Sequence, residues 1–357
     1  MTFPVGLEPN PPPHPVVKAG EFMFAATGLN HGHIYGQCEE LIRAGATLKY
    51  VCDADETKLA TFKERFPDAR VVSDLDVILN DEAVQLVTSA SVPSERAPLG
   101  LRVMRAGKDY FTDKAPFTTL EQLEQIRATV AETGRKYMVN YSERLQTESA
   151  VYAGQLIERG TIGQVIQVLG LGPHRLGGPW RPDWFFIKEK YGGILCDIGS
   201  HQVEQFLHFT GAEDAEVVSA RVANFNHPDK PGLDDFGEAS LRAEGGASGY
   251  FRVDWFTPDG LSTWGDGRTF VLGTQGYIEL RKYTDVARDA SENHVYLVTG
   301  EREHHLSVDA QVGLPFFGQL ILDCLNRTEE AMTQAHALKA TEIAIRAQRL
   351  ADSAQQE

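Results

Sequence analysis

Residues 22–34 read Phe22-Met-Phe-Ala-Ala-Thr-Gly28-Leu-Asn30-His-Gly-His33-Ile34, an apolar strand pattern that runs into a glycine-containing turn. Helical spacing follows, so the turn joins a strand to a helix. In a dinucleotide-binding fold such a turn lays backbone N–H groups and a helix N-terminus against the pyrophosphate. The usual G-x-G-x-x-G pattern retains Gly28, whereas Asn30 and His33 stand at its second and third glycine positions. Asn tolerates positive φ, so the turn remains feasible; an ordinary glycine-containing turn is the alternative.

The second strand pattern, residues 48–52, ends at Asp53, which lies 25 residues after Gly28. At about this spacing an acidic residue accepts hydrogen bonds from the adenosine ribose hydroxyls. Asp55 and Glu56 follow and no arginine does, so a 2′-phosphate would meet three acids here. The pattern therefore favours NAD over NADP. The alternative is a solvated carboxylate at the end of a strand.

The composition excludes several partners. Against 34 Lys and Arg stand 50 Asp and Glu in 357 residues, a formal charge of −16. This balance argues against nucleic acid or an anionic membrane surface as the main partner and is easier to reconcile with a small neutral or cationic ligand. No window approaches the roughly 18 apolar residues of a membrane span, and the start of the chain lacks a signal-peptide pattern. The cysteines are scattered, so we expect reduced thiols and a cytoplasmic protein.

The chain divides into three parts. Residues 1–20 hold six prolines among the first fifteen residues and form an extended arm, either loose or packed on a neighbouring subunit. In residues 21–143 strands alternate with helices, which predicts a doubly wound parallel sheet, with Thr118 and Glu121 as the capping box of one helix. Residues 144–357 are predicted to form a second domain with a different pattern. Its last helix is a candidate to pack back on the first domain.

Extended stretches dominate that second domain and predict a large, mostly antiparallel sheet. They are residues 165–171, 216–224, 237–242, 247–256, 268–272, 277–282 and 295–298. The fold class is therefore α/β, with an N-terminal doubly wound sheet and a C-terminal α+β domain.

The segment Gly192-Gly-Ile-Leu-Cys-Asp197-Ile-Gly-Ser-His201 carries candidate proton-transfer residues. Asp197 and His201 are four residues apart and share a helix face, and Glu204 and His208 continue the same stripe. A histidine takes a proton from a hydroxyl at neutral pH, and a neighbouring carboxylate tunes and orients it. The alternative is a polar helix face in water.

Lys114 lies in Phe111-Thr-Asp-Lys114-Ala-Pro116, at the carboxyl edge of the predicted parallel sheet. Ligands bind at this edge in open α/β folds. A lysine there can hold a substrate hydroxyl and stabilise developing alkoxide charge; an ordinary surface lysine is the alternative. His31 and His33 have no carboxylate or thiol at metal-site spacing, so we predict no metal site.

From about residue 22 to its end, the chain resembles the Gfo/Idh/MocA oxidoreductases, which include glucose–fructose oxidoreductase and inositol dehydrogenase. The family's Gly-Gly-x-Leu-x-Asp-x-Gly-x-His motif is intact at residues 192–201, and Ala106-Gly-Lys108 matches a second motif. The resemblance implies a Rossmann domain and NAD(P)-linked oxidation of a secondary alcohol in a sugar, glycoside or cyclitol. By position, Lys114 would hold substrate and nicotinamide, His201 would be the general base and Asp197 its partner.

The chain departs from the family pattern at three places. Ala115 stands where the family has a proline, often after a cis peptide bond. In Ser91-Val-Pro-Ser-Glu-Arg96, Pro93 replaces an asparagine and Arg96 a histidine. The family's Val-Gly-Phe-x-x-Arg reads Val139-Asn-Tyr-Ser-Glu-Arg144, which replaces the glycine and the phenylalanine but keeps the arginine.

The resemblance extends the candidate site. The predicted cofactor residues are Gly28, Asn30, His31, Gly32, His33, Ile34, Asp53, Ser89, Ser91, Pro93, Arg96, Asp113, Lys114 and Asn140. The predicted substrate residues are Lys114, Tyr141, Arg144, His174, Arg175, Trp184, Asp197, His201 and His208. Aromatic and hydrogen-bonding groups together suit a carbohydrate or polyol, although each tryptophan, Trp180 included, has a core or interface role as its alternative.

Other activities stay open at this stage. Within the family's chemistry they are a keto-sugar reductase and a glycosidase that uses transient NAD oxidation. From another class, a non-catalytic dinucleotide or sugar sensor is possible. The resemblance also implies that residues 144–357 form a substrate-binding and oligomerisation domain. It further implies a homodimer or homotetramer built through the sheet of that domain.

Overall fold

The computed structural model describes residues 3–177 and 180–355 and divides into two units. The Rossmann unit consists of Pro13–Asn140 and Pro315–Leu338. The large-sheet unit takes the chain before Pro13, Tyr141–Leu314 and the chain from Lys339 onward. Each unit has its own sheet, which accounts for the change in sequence pattern near the middle of the chain.

The Rossmann unit is built on six parallel strands in the order β3-β2-β1-β4-β5-β6, the doubly wound order that the alternating pattern predicts. In chain order the elements are β1 Met23–Thr27, α1 His33–Arg43, β2 Thr47–Cys52, α2 Glu56–Arg65, β3 Arg70–Val71, α3 Leu75–Leu79, β4 Val84–Ser89, α4 Pro93–Arg105, β5 Asp109–Asp113, α5 Leu120–Thr133, β6 Tyr137–Asn140 and α11 Pro315–Asn326. The central strand β1 is almost entirely buried, as the apolar run that opens the sequence predicts.

Side-chain caps begin some helices of this unit, α2, α3 and α5, but not α1 or α4. Asp55 caps α2 by accepting hydrogen bonds from the backbone N–H groups of Thr57 and Lys58. The predicted Thr118–Glu121 capping box is wrong by one residue: Thr119 caps α5 and accepts from the Gln122 N–H at 3.2 Å. Thr118–Glu121 and Thr119–Gln122 both have the spacing of a capping box, so the local sequence alone does not show which threonine is the cap.

Helix α4 tolerates an internal proline because a neighbouring helix supplies the missing donor. Pro98 has no N–H, so the carbonyl of Ser94 has no partner from within the helix. Gln122 of α5 donates to that carbonyl through Nε2 at 2.9 Å. The side chain therefore stabilises the first turns of α4.

The large-sheet unit has eight strands in the order β14-β13-β12-β11-β7-β10-β9-β8. Every neighbouring pair is antiparallel except β7 and β10, which agrees with the predicted, mostly antiparallel sheet. The strands are β7 Val165–Pro173, β8 Ala215–Ala223, β9 Phe236–Ala243, β10 Ser248–Asp254, β11 Arg268–Gly273, β12 Gly276–Arg281, β13 His294–Thr299 and β14 Glu303–Ser307. The sequence pattern did not predict β14.

Helices precede and follow these strands, and the last of them begins within the Rossmann unit. They are α6 Ser142–Leu145, α7 Glu148–Glu158, a 3-10 helix Asp183–Phe186, α8 Lys188–Tyr191, α9 Ile194–Asp197, α10 Gly199–Thr210 and α12 Gln334–Ala354. Ile198, between α9 and α10, keeps helical dihedrals (φ −84°, ψ −39°), so Asp197 and His201 stay about one helical turn apart.

Glycines in the sheet let α9 and α10 lie directly on its inner face. A Cβ atom on Gly249 of β10 would lie 2.7 Å from the Phe206 ring of α10. One on Gly237 of β9 would lie 2.7 Å from Ile194 of α9. Both distances are shorter than side chains tolerate, so glycine sets the height of these helices above the sheet.

The opposite surface of the sheet, the outer face, carries apolar side chains in the central strands. Phe270 of β11 lies opposite Leu169 of β7, which lies opposite Tyr250 of β10. Two residues along β11, Leu272 lies opposite Tyr277 of β12, and both side chains are exposed. Residues directly opposite on neighbouring strands share a face, so these five form one apolar area.

The proline-rich arm packs against its own chain. The sequence predicts instead that it is either loose or packed on a neighbouring subunit. Tyr152 of α7 donates a hydrogen bond to the carbonyl of Leu7. The backbone N–H of Asn10 donates to Gln155 at 2.9 Å, and Arg159 donates to the carbonyl of Glu8 at 2.6 Å. Residues 7–10 are therefore held along α7.

The four cysteines, Cys38, Cys52, Cys196 and Cys324, are all buried and none forms a disulfide, as the scattered spacing predicts. Burial raises the pKa of the Cys38 and Cys324 thiols well above the usual value. Within residues 3–177 and 180–355, no helix is long and apolar enough to cross a membrane.

Candidate active site

The carboxyl edge of the Rossmann sheet gathers residues that the sequence assigns to the cofactor. Gly28 follows β1, Asp53 follows β2, Ser91 follows β4, Lys114 follows β5, and Asn140 ends β6. Parallel strands end at the same edge, so residues far apart in sequence lie side by side there. The remaining predicted members Asn30, His31, Gly32 and His33 form the turn before α1, Pro93 begins α4, and Ile34 and Ser89 are buried.

Gly28 is required by a close approach between two turns. Its φ is +65°, a conformation that favours glycine. A Cβ atom there would lie 2.7 Å from Cβ of Ser91 and 2.8 Å from Oγ of Ser89. The backbone N–H of Ala90 also donates to the Gly28 carbonyl at 3.2 Å. The turn thus has the glycine-dependent geometry of a dinucleotide-binding loop.

Asp53 is fixed beside this turn. One carboxylate oxygen accepts from the Leu29 N–H at 2.6 Å and the other from the Asp55 N–H at 2.9 Å. Asp53 remains partly exposed. A half-exposed carboxylate held by backbone N–H groups at the end of β2 is suited to accept further hydrogen bonds from a diol.

His33 binds Asp113 at the end of β5. Its Nδ1 lies 2.9 Å from one carboxylate oxygen, and Nδ1 of His31 lies 3.5 Å from the other. Asp113 is fully buried; burial acts to raise its pKa, but the charges of His33 and Arg96 hold that pKa well below the usual value. The third glycine position of the turn is therefore occupied by an imidazole anchored to β5.

The three side chains His31, His33 and Asp113 also have the donor set of a metal site, with ligand atoms within 4.8 Å of one another. The carboxylate missing from the local sequence is 80 residues away. Burial, followed by the charge of His33, lowers the pKa of His31, so its imidazole is neutral at neutral pH. Hydrogen bonds and Arg96 already account for the charge of Asp113, and the absence of a metal stays a prediction.

Arg96 lies beneath the backbone of Lys114 rather than at the surface of the edge. Its side chain is 1% exposed. Nε donates to the Ser91 carbonyl at 2.7 Å, and Nη1 donates to the carbonyls of Lys114 and Ala115. Nη2 lies 3.3 Å from the Asp113 carboxylate. Arg96 thus holds the segment that carries Lys114, and its contact with the cofactor stays a prediction.

In the large-sheet unit, Asp197 and His201 occupy the junction of α9 and α10. Their exposed fractions are 6% and 1%. The ring of Tyr141 contacts His201 edge-on, with centroids 6.2 Å apart, and the Tyr141 hydroxyl bonds to Thr341 at 2.8 Å. Burial raises the pKa of Tyr141, which therefore stays protonated at neutral pH. The tyrosine thus packs edge-on beside the imidazole as a neutral group.

The predicted ionisable stripe on α10 divides beyond His201. Glu204 is fully buried and accepts two hydrogen bonds from Nε of Arg144, at 2.7 and 3.0 Å. His208 is exposed and lies beside Gly154 of α7. The stripe therefore does not face one cleft as expected, and the guanidinium of Arg144 is engaged by Glu204.

Glu143 forms a buried polar cluster that sequence reasoning missed. One of its oxygens lies 3.5 Å from Nε2 of His174 and 3.6 Å from Nζ of Lys282. The other accepts from Gln202, the neighbour of His201, at 3.2 Å. Burial acts to lower the pKa of Lys282, but Tyr283 and Glu143 raise it overall. His174, a predicted substrate residue, is thereby linked to the helix that carries His201.

The loop after β7 contains the other predicted substrate residues. Arg175 bonds to Asp259 at 2.8 Å and to two backbone carbonyls, so its guanidinium shapes the loop. Trp184 contacts Phe185 edge-on with centroids 5.8 Å apart, and Trp180 is 72% exposed. The sequence did not single out Arg181, which lies over three aromatic rings.

Comparison with known proteins covers both units. A model of an oxidoreductase family with an NAD-binding Rossmann fold matches residues 28–141, and a model of the Gfo/Idh/MocA C-terminal domain matches residues 151–279. A crystal structure described as an oxidoreductase from Erwinia carotovora atroseptica SCRI1043 is 51% identical, with a TM-score of 0.90 over 93% of this chain and 99% of that chain.

Curated relatives match over shorter stretches. D-xylose dehydrogenase of Paenarthrobacter nicotinovorans is 28% identical over 41% of this chain and 39% of its own length. The NADP(+)-dependent scyllo-inositol 2-dehydrogenase IolW of Bacillus subtilis is 29% identical over 44% of this chain and 45% of its own length. This chain thus spans less than half the length of these two relatives. A levoglucosan dehydrogenase complex with NADH and levoglucosan has the same fold, at 16% identity over 93% of this chain and 97% of that one, with a TM-score of 0.76.

Proposed function

This chain belongs to the Gfo/Idh/MocA family of oxidoreductases, and from that premise we propose that it is an NAD-dependent dehydrogenase. Its substrate is a sugar, glycoside or cyclitol, in which a secondary hydroxyl group is oxidised to a ketone. The observation that carries the proposal is the buried pair of Asp197 and His201 at the α9–α10 junction. A carboxylate and an imidazole in such a pair suit removal of a hydroxyl proton.

The residues at the edge of the Rossmann sheet fit a dinucleotide. The Gly28 turn excludes a side chain where backbone N–H groups would meet the pyrophosphate, and Asp53 offers a carboxylate beside it. When bound, the nicotinamide ring supplies the acceptor for the hydride. The acids after β2 are the reason to propose NAD rather than NADP.

The protein residues handle the proton and the developing charge. His201 accepts the hydroxyl proton as the carbon gives up its hydride, and Asp197 stabilises the resulting imidazolium. Lys114 donates a hydrogen bond to the substrate oxygen and stabilises the alkoxide character that develops there. Tyr141 packs edge-on against the His201 ring and limits its rotation.

The test is reduction of NAD, followed by absorbance, across monosaccharides, methyl glycosides and inositols. His201→Ala and Lys114→Ala should each lower kcat by about 10²- to 10⁴-fold, the usual contribution of a positioned acid–base group. His14→Ala and Lys190→Ala, at exposed positions, serve as matched controls and should leave kcat unchanged. Turnover that survives both site substitutions would remove the catalytic assignment, and no NAD reduction with any substrate would remove the activity.

A further inference from the structure

Arg181 is held in an aromatic cage in the large-sheet unit. Its guanidinium carbon lies 4.3 Å from the ring centroid of Phe185, 5.0 Å from that of Trp255 and 5.4 Å from that of Trp264. Nε donates to the carbonyl of Leu176 at 2.8 Å and Nη2 to that of Arg175 at 3.4 Å. These contacts fix the plane of the guanidinium and leave its Nη1 donors to a further acceptor.

The cage supplies no counter-charge. Among the described residues, Arg181 has no carboxylate within ion-pair distance; its hydrogen-bond acceptors are backbone carbonyls. Arg144 and Arg175, by contrast, each bind an acidic side chain. Burial lowers the pKa of Arg181, and the charge of Asp197 partly opposes that shift. A half-buried cation without an acidic partner is stabilised when an anion binds it.

Trp255 gives a second, independent indication. It is 5% exposed, and its indole Nε1 has no hydrogen-bond acceptor among the described residues. Buried polar groups are nearly always hydrogen-bonded, so such a donor in a native structure calls for a partner. The cage therefore holds two kinds of N–H donor, on Arg181 and on Trp255.

We propose that this Arg181 cage, formed by Arg181, Phe185, Trp255 and Trp264, is a subsite for the carboxylate of the substrate. The substrate class is then an acidic sugar, either a uronate or an aldonate. The inference rests on the proposed dehydrogenase function and narrows its substrate.

The net charge of the bound group favours a carboxylate over a phosphate at this subsite. One guanidinium and one neutral N–H balance a single negative charge. A phosphate monoester carries roughly −1.5 to −2 at neutral pH. The neighbouring Arg175 is already neutralised by Asp259, and the negative charge of Asp197 acts on the same guanidinium. A monoanion therefore fits this field better than a dianion.

The experiment compares substrates matched except for the acid. Suitable pairs are methyl glucuronide with methyl glucoside, and galacturonate with galactose. Glucose 6-phosphate tests whether the subsite prefers a phosphate. With NAD, kcat/KM should favour the carboxylates by about 10- to 100-fold, the range of a charge-assisted hydrogen bond. Calorimetric binding of the same compounds gives a readout that does not depend on turnover.

Variants identify the cage as the source of that preference. Arg181→Gln should abolish the acid-to-neutral ratio in both kcat/KM and binding, and Trp255→Phe, which keeps a ring but removes the N–H, should reduce the ratio. Arg221→Gln is the matched control. Arg221, on β8, also lies over an aromatic ring, that of Phe225, but its side chain is 61% exposed. That control should leave the ratio unchanged, and thermal melting of each variant verifies folding.

The outcomes separate the two proposals. Turnover of neutral sugars with no preference for acids, unaffected by Arg181→Gln, would overturn the subsite and leave the dehydrogenase. A preference for the phosphate would overturn the choice of carboxylate. If acidic sugars bind through Arg181 but none reduces NAD, the subsite stands and the dehydrogenase function fails.

Discussion

Arg96 and Ala115, two residues that differ from the family pattern, both lie next to the backbone of Lys114. Ala115 occupies the position of the family's proline, and the side chain of Arg96 donates to the carbonyls on both sides of the bond between Lys114 and Ala115. A proline ring restricts its own backbone, with φ near −65°. In this chain, hydrogen bonds from a buried guanidinium restrain the same segment.

Arg96 and Ala115 should therefore behave as a coupled pair. Arg96→His, which installs the family residue, should lower kcat by about 10- to 100-fold because small displacements of a catalytic group are costly. Adding Ala115→Pro should recover at least about tenfold, although Ala115→Pro alone gives no gain. Steady-state kcat and the affinity for NAD are measured in all four proteins; strictly additive effects, or a loss confined to NAD affinity, would contradict this role.

Asp53 should determine the preference between dinucleotides. Asp53→Ala should lower kcat/KM for NAD by about 10- to 100-fold, since the hydrogen bonds from the ribose to a charged acceptor are lost. The value for NADP should fall less, because repulsion of its phosphate is relieved. Glu82→Gln, a charge change at an exposed position before β4, is the control and should leave the ratio unchanged. Equal losses for both dinucleotides would argue against the assignment.

Spacing predicts residues of this kind only where the contact is local. Gly28 and Asp53 follow from a turn and a strand end, both visible in sequence. The contacts of Arg96 with Asp113 and Lys114 join α4 to β5, and the His33–Asp113 bond joins residues 80 apart. Nothing in either segment alone indicates these contacts, so the sequence did not predict that Arg96 holds the Lys114 segment.

At the scale of elements, the helix that carries His201 depends on glycines beneath it. Gly249→Ala would bring a methyl group within 2.7 Å of the Phe206 ring. Either the Phe206 ring or α10 must shift, so we expect a loss of about 1–3 kcal/mol in the free energy of unfolding, typical of overpacking. A shift of α10 would also lower kcat.

A second glycine provides the control for this prediction. At Gly267, just before β11, an added Cβ would have its nearest neighbour at 3.7 Å, an ordinary contact. Gly267→Ala should change the unfolding free energy by less than about 0.5 kcal/mol. Chemical denaturation and steady-state kinetics of both variants decide the point; equal stability of the two would show that α10 can adjust without cost.

The elements themselves were largely predictable, because periodicity is a local property. The parallel sheet followed from alternating patterns and the large sheet from successive strands. The short strand β14 was not predicted: Glu303–Ser307 is polar except for Leu306 and lies at the sheet edge, where it pairs with only one neighbouring strand. The α5 cap shifted by one residue because Thr118 and Thr119 are adjacent, and only the observed hydrogen bonds distinguish them.

At the scale of the whole molecule, the outer face predicts association between copies of the chain. Its apolar side chains, Leu272 and Tyr277 among them, are exposed in the single chain. Exposed apolar areas of this kind commonly mark interfaces. We expect a dimer or tetramer of the 39.4 kDa chain in light scattering.

Leu272→Glu should shift that assembly toward the monomer, since a charge would be buried at the contact. Ile42→Glu replaces a similarly exposed residue of α1 in the Rossmann unit and is the matched control. Its mass should equal that of the parent. A parent protein that is already monomeric at high concentration would contradict the expected assembly.

The division into units was only partly visible in sequence. The change in pattern near residue 143 lies close to the observed change of unit between Asn140 and Tyr141. The sequence made the last helix a candidate to pack back on the first domain. The segment that belongs to the Rossmann unit is Pro315–Leu338, which contains α11 and only the first residues of α12, since an apolar helix pattern indicates that a helix is buried but not against which core. Long-range packing, rather than local propensity, decides that membership.

The buried cysteines have a practical consequence for spectroscopy. Since all four thiols are shielded, and burial keeps those of Cys38 and Cys324 protonated, maleimide reagents should react slowly with the native chain. One cysteine introduced at a surface position would then carry a dye or spin label without removal of the natural ones. Pairs of such labels, one in each unit, would report distances between the units in solution.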